Sequence, residues 1–259
     1  MTKVLDMALM GPLQINLQGE PAPFVSTKAQ ALLCFLAVSE RVYTRQALAG
    51  LLWGDLPEAD ARRNLRGVVM KLRQHVGDYL VVTPQSIAFA KESAHRLDVA
   101  TFRALAQQRD LASLAEAAVL YRGDFLEDLQ VRQAVDFEAW VGQQREALRR
   151  QAVLVYTALA EGYGALAQFE QGAAFARRLL ALEPAHEKGH RLLMRQLASQ
   201  GQRSAALAQY EVCVAELAEM GVTPTEETAI LRDQIRRNAL SQKTHAAPPS
   251  LPEAALPLS

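Results

Sequence analysis

Between Lys28 and Gly77 the apolar positions recur every three or four residues, the period of an α-helix. The stretch "KAQALLCFLAVSE" (28–40) turns Leu32, Leu33, Phe35 and Leu36 inward, with Ser26 or Thr27 as its cap. "TRQALAGLLWG" (44–54) predicts a second helix with Thr44 as N-cap. A third follows in "ADARRNLRGVVMKLRQHVG" (59–77), where Ala61, Leu65, Val68, Val69, Leu72 and Val76 fall on one face at 100° per residue. Outside this block the pattern changes. In "VLDMALMGPLQINLQGEPAPFVS" (4–26), Gly11, Pro12, Gly19, Pro21 and Pro23 interrupt short apolar stretches, which predicts two or three strands joined by turns. After Gly77, "YLVVT" and "SIAFA" are two apolar runs separated by Pro84-Gln85, a hairpin pattern. The expected order is strands, three helices, hairpin.

From Leu97 onward the pattern is helical almost without pause, punctuated by Gly123, Gly164, Pro184, Gly201, Gly221 and Pro224. A weak internal repeat aligns "FEQGAAFARRLLALEP" (169–184) with "GQRSAALAQYEVCVAEL" (201–217) at an offset of 32, pairing Ala173 with Ala205, Ala174 with Ala206 and Phe175 with Leu207. Small residues there let paired helices approach, and a period near 34 is that of tetratricopeptide repeats. The second unit runs longer, since Pro184 and Pro224 lie 40 apart. The last fifteen residues, "HAAPPSLPEAALPLS", hold four prolines and no period, which predicts a disordered tail or linker.

Composition sharpens this division. The 259 residues are half hydrophobic, enough for real cores and comfortable for two domains. The net charge is zero, but residues 1–97 carry 11 basic and 8 acidic side chains and the remainder 17 and 20. The asymmetry suggests two jobs. The two cysteines, Cys34 and Cys213, sit inside apolar helical patterns with no CxxC, so they read as buried thiols of a reducing cytosol. No signal-peptide pattern opens the chain, and the longest strongly apolar run, "ALLCFLAV" (31–38), is too short to span a bilayer. A cytoplasmic protein without a membrane partner is expected.

Five cations, Arg62, Arg63, Arg66, Lys71 and Arg73, lie within twelve residues of the third helix. Arg63, Gly67, Met70 and Gln74 point away from its apolar stripe, Arg66 and Lys71 stand beside them, and Arg62 and Arg73 flank the stripe. Arginine matches guanine O6/N7 and glutamine matches adenine N6/N7, so this face has the chemistry of a major-groove reader. Most charge runs are merely solvated helix faces. Here a helix pair precedes the cations and a hairpin follows, the order of a winged helix. Lys28, Thr44 and Arg45, at or near helix starts, suit phosphates.

These residues also carry a family likeness. "KAQALLCFLAV…TRQALAGLLWGDLPEADARRNLRGVVMKLRQHVGDYLVVT" resembles the OmpR-type winged helix of SARP-type transcriptional regulators, through Leu52-Trp53, the loop Asp55–Asp60, Ala61-Arg62 and Leu72-Arg73. "LDVATFRALA" (97–106), "YRGDFLEDL" (121–129), "FEAWVGQQREAL" (137–148), "LEPAHEKGHRLLMRQLASQGQRSAALAQYE" (182–211) and "ELAEMGVTPTEETAILRDQI" (216–235) resemble the bacterial transcriptional activation domain of the same proteins. The likeness spans roughly residues 4–240 and rests on the joint order of motifs. It departs at the hairpin, where "TPQSIAFA" stands in place of the family's Gly-rich turn and Tyr.

The resemblance implies an α+β N-terminal winged helix (residues 1–96) followed by an all-α tetratricopeptide-like domain (97–240) and a tail (241–259). It implies a transcriptional activator, not an enzyme, that binds double-stranded DNA at direct repeats, associates with a second copy there, and meets RNA polymerase through the loop "WGDLPEAD" with Asp55, Glu58 and Asp60. One of Asp55 or Asp60 is expected to cap the third helix, with Pro57 presetting its first turn. The alternative is a tetratricopeptide scaffold whose winged helix docks protein.

One motif points elsewhere. "HEKGH" (186–190) is a literal HExxH, which on a helix sets two histidines one turn apart for zinc, with Glu187 as base. It begins two residues after Pro184, contains Gly189, and has no third ligand downstream except His245 in the tail. The repeat explains it better, as the start of a helix, so neither metal nor cofactor is expected. No GxxxxGK[ST] occurs. Trp53 and Trp140 read as core anchors, and Tyr156, Tyr163, Phe169 and Tyr210 as packing.

Overall fold

A computed structural model describes residues 4–24 and 26–237; the expected tail, 241–259, lies outside the described residues. The chain divides into two compact units, Met1–Val155 and Tyr156–Ser259.

The first unit opens with an antiparallel meander, β1 (Leu5–Ala8), β2 (Gln14–Leu17) and β3 (Glu20–Pro21), with Met7 opposite Ile15. Then come α1 (Thr27–Ser39), the short β4 (Tyr43–Thr44), α2 (Arg45–Trp53) and α3 (Glu58–Val76). The hairpin β5 (Leu80–Val82) and β6 (Ser86–Phe89) follows, with Val82 opposite Ile87. β4 pairs with the other edge of β6, setting Thr44 opposite Ser86. α1 buries every residue from Ala31 to Ala37, as a helix apolar on all sides must. α3 buries the six residues of the stripe and no others. Ser26 holds the N-cap position of α1 without a side-chain bond, whereas Thr44 does cap α2, its Oγ1 accepting from Ala47 N at 3.1 Å.

The packing does not break at 96/97. β7 (His95–Leu97) pairs parallel to β1 and completes a four-stranded sheet of order β3-β2-β1-β7. At the start of α4 (Asp98–Ala106), the Asp98 carboxylate accepts from Leu9 N at 2.8 Å, Met10 N at 3.0 Å and Val99 N at 2.7 Å. Burial raises its pKa, while those amides and Arg122 pull it back. After α5 (Leu111–Leu120), the loop 121–129 is stitched to the same sheet: Gly11 N donates to Asp124 O, Leu126 N to Leu9 O, and Leu13 N to the Asp128 carboxylate. Early in α6 (Val135–Ala165), the Trp140 ring packs on Phe35 of α1 with centroids 4.9 Å apart, and on Phe125 at 5.4 Å. In packing terms, residues 97–155 belong with the N-terminal strands and helices. Each buried amide left without Asp98 would cost about 1–3 kcal/mol.

The second unit holds the end of α6, then α7 (Phe169–Leu182), α8 (Glu187–Ser199), α9 (Arg203–Glu219) and α10 (Glu226–Arg236). Each of the last three packs on the helix before it. The repeat is real, but its register is 34, not 32: α7 and α9 begin at Phe169 and Arg203, each preceded by a glutamine at the N-cap, Gln168 and Gln202. At this spacing the buried Gly172 and Leu179 correspond to the buried Ala206 and Cys213. The turns agree too, with Ala167 (φ 56°) and Gly201 (φ 77°) in the same left-handed conformation. Gly189, a weak point for an isolated helix, is there for packing: a Cβ on it would stand 2.9 Å from Leu179 Cδ2. Tyr163 stacks on Phe175, and Arg178 donates to the Tyr156 hydroxyl, so these rings are packing as expected.

Candidate nucleic-acid interface

A cleft of about 840 Å³ opens in the first unit between α3, the start of α2 and the tip of the β5–β6 hairpin. Its walls include Thr44, Arg45, Arg62, Arg66, Met70, Arg73 and Gln74, seven of the ten residues expected to face DNA. Leu65, Val69 and Val82 form an apolar floor. Gln46, Pro84 and Gln85 also line it. Nothing in the periodicity marks Gln46 or Gln85; the turn "TPQS" (83–86) is the one signal for Gln85, and Gln46 has none.

The hairpin tip is held tightly. Thr83 Oγ1 accepts from Ser86 N at 2.9 Å and Gln85 N at 3.2 Å, and Thr83 N donates to Ser86 O. Pro84 presets the first corner of this turn. Arg45 ties the tip to α2: its Nε donates to Thr83 O at 3.0 Å and its amide to Gln85 O at 3.0 Å. Part of its hydrogen-bonding capacity is thus spent on positioning the hairpin.

The cations of α3 fall into two groups. Arg62 pairs with Glu58 at 2.6 Å and Arg63 with Asp60 at 2.9 Å. Such exposed pairs are worth at most about 1 kcal/mol each, so they do not prevent an arginine from turning to a phosphate. Among the described residues, Arg66, Lys71 and Arg73 have no ion pair or side-chain hydrogen bond. Arg63 and Lys71 stand outside the cleft; Lys71 lines a smaller neighbouring cavity of about 230 Å³ with Phe24 and His75.

Lys28 does not join them. Its Nζ donates to Leu52 O at 2.6 Å and lies 4.8 Å from the Trp53 ring centroid, so it caps the C-terminal end of α2. Burial lowers its pKa, with Asp55 pulling the other way. Neither Asp55 nor Asp60 caps α3. Pro57 takes the N-cap position, its carbonyl accepting from Asp60 N and Ala61 N, and the helix starts at Glu58. Glu58 and Asp60 then sit in the first turn, where negative charge meets the helix dipole favourably. Asp55 and Glu58 are exposed, and Asp60 half-buried.

Comparison with known proteins decides the family. Residues 90–236 match the model of the bacterial transcriptional activator domain, more than half the chain. The chain belongs to that family. It is 28% identical over 244 residues to the transcriptional regulatory protein MoaR1 of Mycobacterium tuberculosis, covering 88% of this chain and 78% of MoaR1. It is 28% identical over 255 residues to the transcriptional regulatory protein EmbR of Mycobacterium bovis, covering 91% of this chain but only 64% of EmbR. The solved structure of Mycobacterium tuberculosis EmbR in complex with a low affinity phosphopeptide shares the fold, with a TM-score of 0.68 at 24% identity over 93% of this chain and 69% of that one. This bacterial transcriptional activator domain protein is a SARP-type transcriptional activator.

The HExxH of the activator domain is used up by packing. His186 caps α8, its Nδ1 accepting from Gly189 N at 3.0 Å. His190 is buried; its Nε2–H donates to Pro184 O at 2.6 Å, so Nδ1 accepts from Gln209 Nε2 at 2.7 Å. Burial lowers its pKa, which favours the neutral ring. Glu187 Oε1 accepts from Thr225 N and Thr225 Oγ1, both at 2.7 Å, and so caps α10. Burial pushes its pKa up, but the Thr225 and Thr228 hydrogen bonds outweigh that and leave it lowered. Among the described residues, no helix is long and apolar enough to cross a membrane.

Proposed function

We propose that this activator binds promoter DNA through an OmpR-type winged helix, with α3 in the major groove and the β5–β6 hairpin as the wing. The observation that carries this is the cleft: Arg62, Arg66 and Arg73 line it together with Gln74 and a helix start, on a helix whose buried stripe fixes it to the core. Arg66 and Gln74 have the donors for base edges, and Arg62 and Arg73 suit phosphates. The hairpin touches the adjacent backbone. The second unit is the tetratricopeptide-like part. Two copies sit head to tail on direct repeats in the cytoplasm, and the exposed acids Asp55 and Glu58, with Asp60, meet RNA polymerase on the side away from the phosphates.

Binding of the full chain to a promoter fragment, measured from low to moderate salt, tests this. A DNA reader loses affinity steeply, by about one log-log slope unit per phosphate contact. Arg66→Ala costs about 1–3 kcal/mol of specific binding with the melting temperature unchanged. Salt-independent binding would favour a docking module for protein instead, and unchanged affinity of the Arg66 variant would remove that residue from the interface.

A further inference from the structure

Met70 stands in the middle of α3 with 60% of its surface exposed. The helix does not need it for the core, because the six stripe positions fill that role. Single exposed apolar side chains are ordinary; the position of this one is not. Arg62, Arg66, Met70 and Gln74 follow one another at intervals of four and all line the cleft. Residues four apart on a helix lie one above the other. At about 1.5 Å of rise per residue, Arg66 and Gln74 sit roughly 6 Å before and after Met70. That is about two base-pair steps of about 3.4 Å each.

The two flanking residues carry hydrogen-bonding ends suited to guanine and adenine, whereas Met70 offers only a flexible, polarisable apolar end. A phosphate gives such an end nothing to hold. In the major groove, the natural base that presents an apolar group on its edge is thymine, through its C5-methyl. The geometry points to Met70 as a specificity-determining residue that reads a thymine methyl group between the bases taken by Arg66 and Gln74. This rests on the DNA-binding reading above and adds the identity of the base at the centre of the row.

The test starts from duplexes enriched by the full chain from a random-sequence library. Each thymine of the enriched site is then replaced in turn by deoxyuridine, which lacks only the 5-methyl group. Wild-type protein loses about fourfold in affinity at one thymine, the worth of one buried methyl-sized group. Met70→Ala, exposed and a good helix former, keeps the fold. It binds the thymine duplex about fourfold more weakly and no longer distinguishes it from the uracil duplex. Wild-type indifference to every thymine-to-uracil change overturns the assignment, as does a Met70→Ala protein that keeps full discrimination. In either case an enriched site leaves the DNA-binding reading standing. A library from which nothing is enriched overturns both.

Discussion

The outward face of α3 and the first turns of α8 look alike as strings of letters: each crowds a helix with side chains that bind metals, bases or phosphates. What separates them is what those side chains already touch. On α8, both nitrogens of His190 are taken by Pro184 and Gln209, and Glu187 serves Thr225 and Thr228 of the α10 turn. On α3, Arg66 and Arg73 have no charged partner among the described residues and face an open cleft. A polar side chain whose hydrogen bonds are complete is committed to the fold; an exposed one without a protein partner keeps its donors available to water or to a ligand.

The largest expected effect breaks the α8 side. His190→Leu leaves the Pro184 carbonyl and the Gln209 amide without partners and lowers unfolding stability in urea by about 2–4 kcal/mol. EDTA leaves the wild-type melting temperature unchanged; a chelator-induced drop would make this residue a metal ligand after all. The pH dependence follows from the lowered His190 pKa. The unfolded chain takes up the proton first, so this residue's contribution is flat above the ordinary imidazole range. It falls as pH drops from there toward the lower folded-state value, and His190→Leu removes that slope.

An intermediate effect tests the α3 side, where the first-turn acids do have partners. Glu58→Lys releases Arg62 and adds a charge, so affinity for a promoter fragment stays level or rises by up to about fivefold, given what an exposed pair is worth. If Glu58 meets polymerase as proposed, reporter transcription at a saturated promoter falls severalfold, because the charge at that position is reversed. Normal activation there would move the polymerase surface to another part of the chain.

The smallest effect concerns the repeat. Ala167 holds the left-handed conformation that Gly201 holds 34 residues later. Ala167→Gly relieves that strain and stabilises by about 0.5–1 kcal/mol, a rise in melting temperature of about 1–4 °C. A fall would mean that the backbone at 167 relaxes once the methyl group is gone.

The elements that could be read from the sequence are those whose cause is local. The buried stripe of α3 follows from its period alone, and the β5–β6 turn from Pro84-Gln85 between two apolar runs. The fate of Lys28 depended on a carbonyl and an indole 24 and 25 residues away, which no local pattern encodes. The repeat register slipped by two because alanine-rich helices align almost equally well at neighbouring offsets; the paired N-caps Gln168 and Gln202 fix it. β7 is three residues of parallel pairing with β1, too short to stand out. Of the site, the helix face was visible in advance, whereas the tie between Arg45 and the hairpin was not.

The stitching of Asp98 and residues 121–129 to the first sheet bears on how such regulators can be shuffled. The family match begins at residue 90, yet the cohesive block that contains α3 runs to Val155. In a chimaera joined at 96/97, the carboxylate that anchors Leu9 and Met10 and the loop that closes over Gly11 would both have to come from the other parent. The crossover that keeps this block whole lies inside α6, so the interchangeable part is larger than α2, α3 and the hairpin that form the cleft.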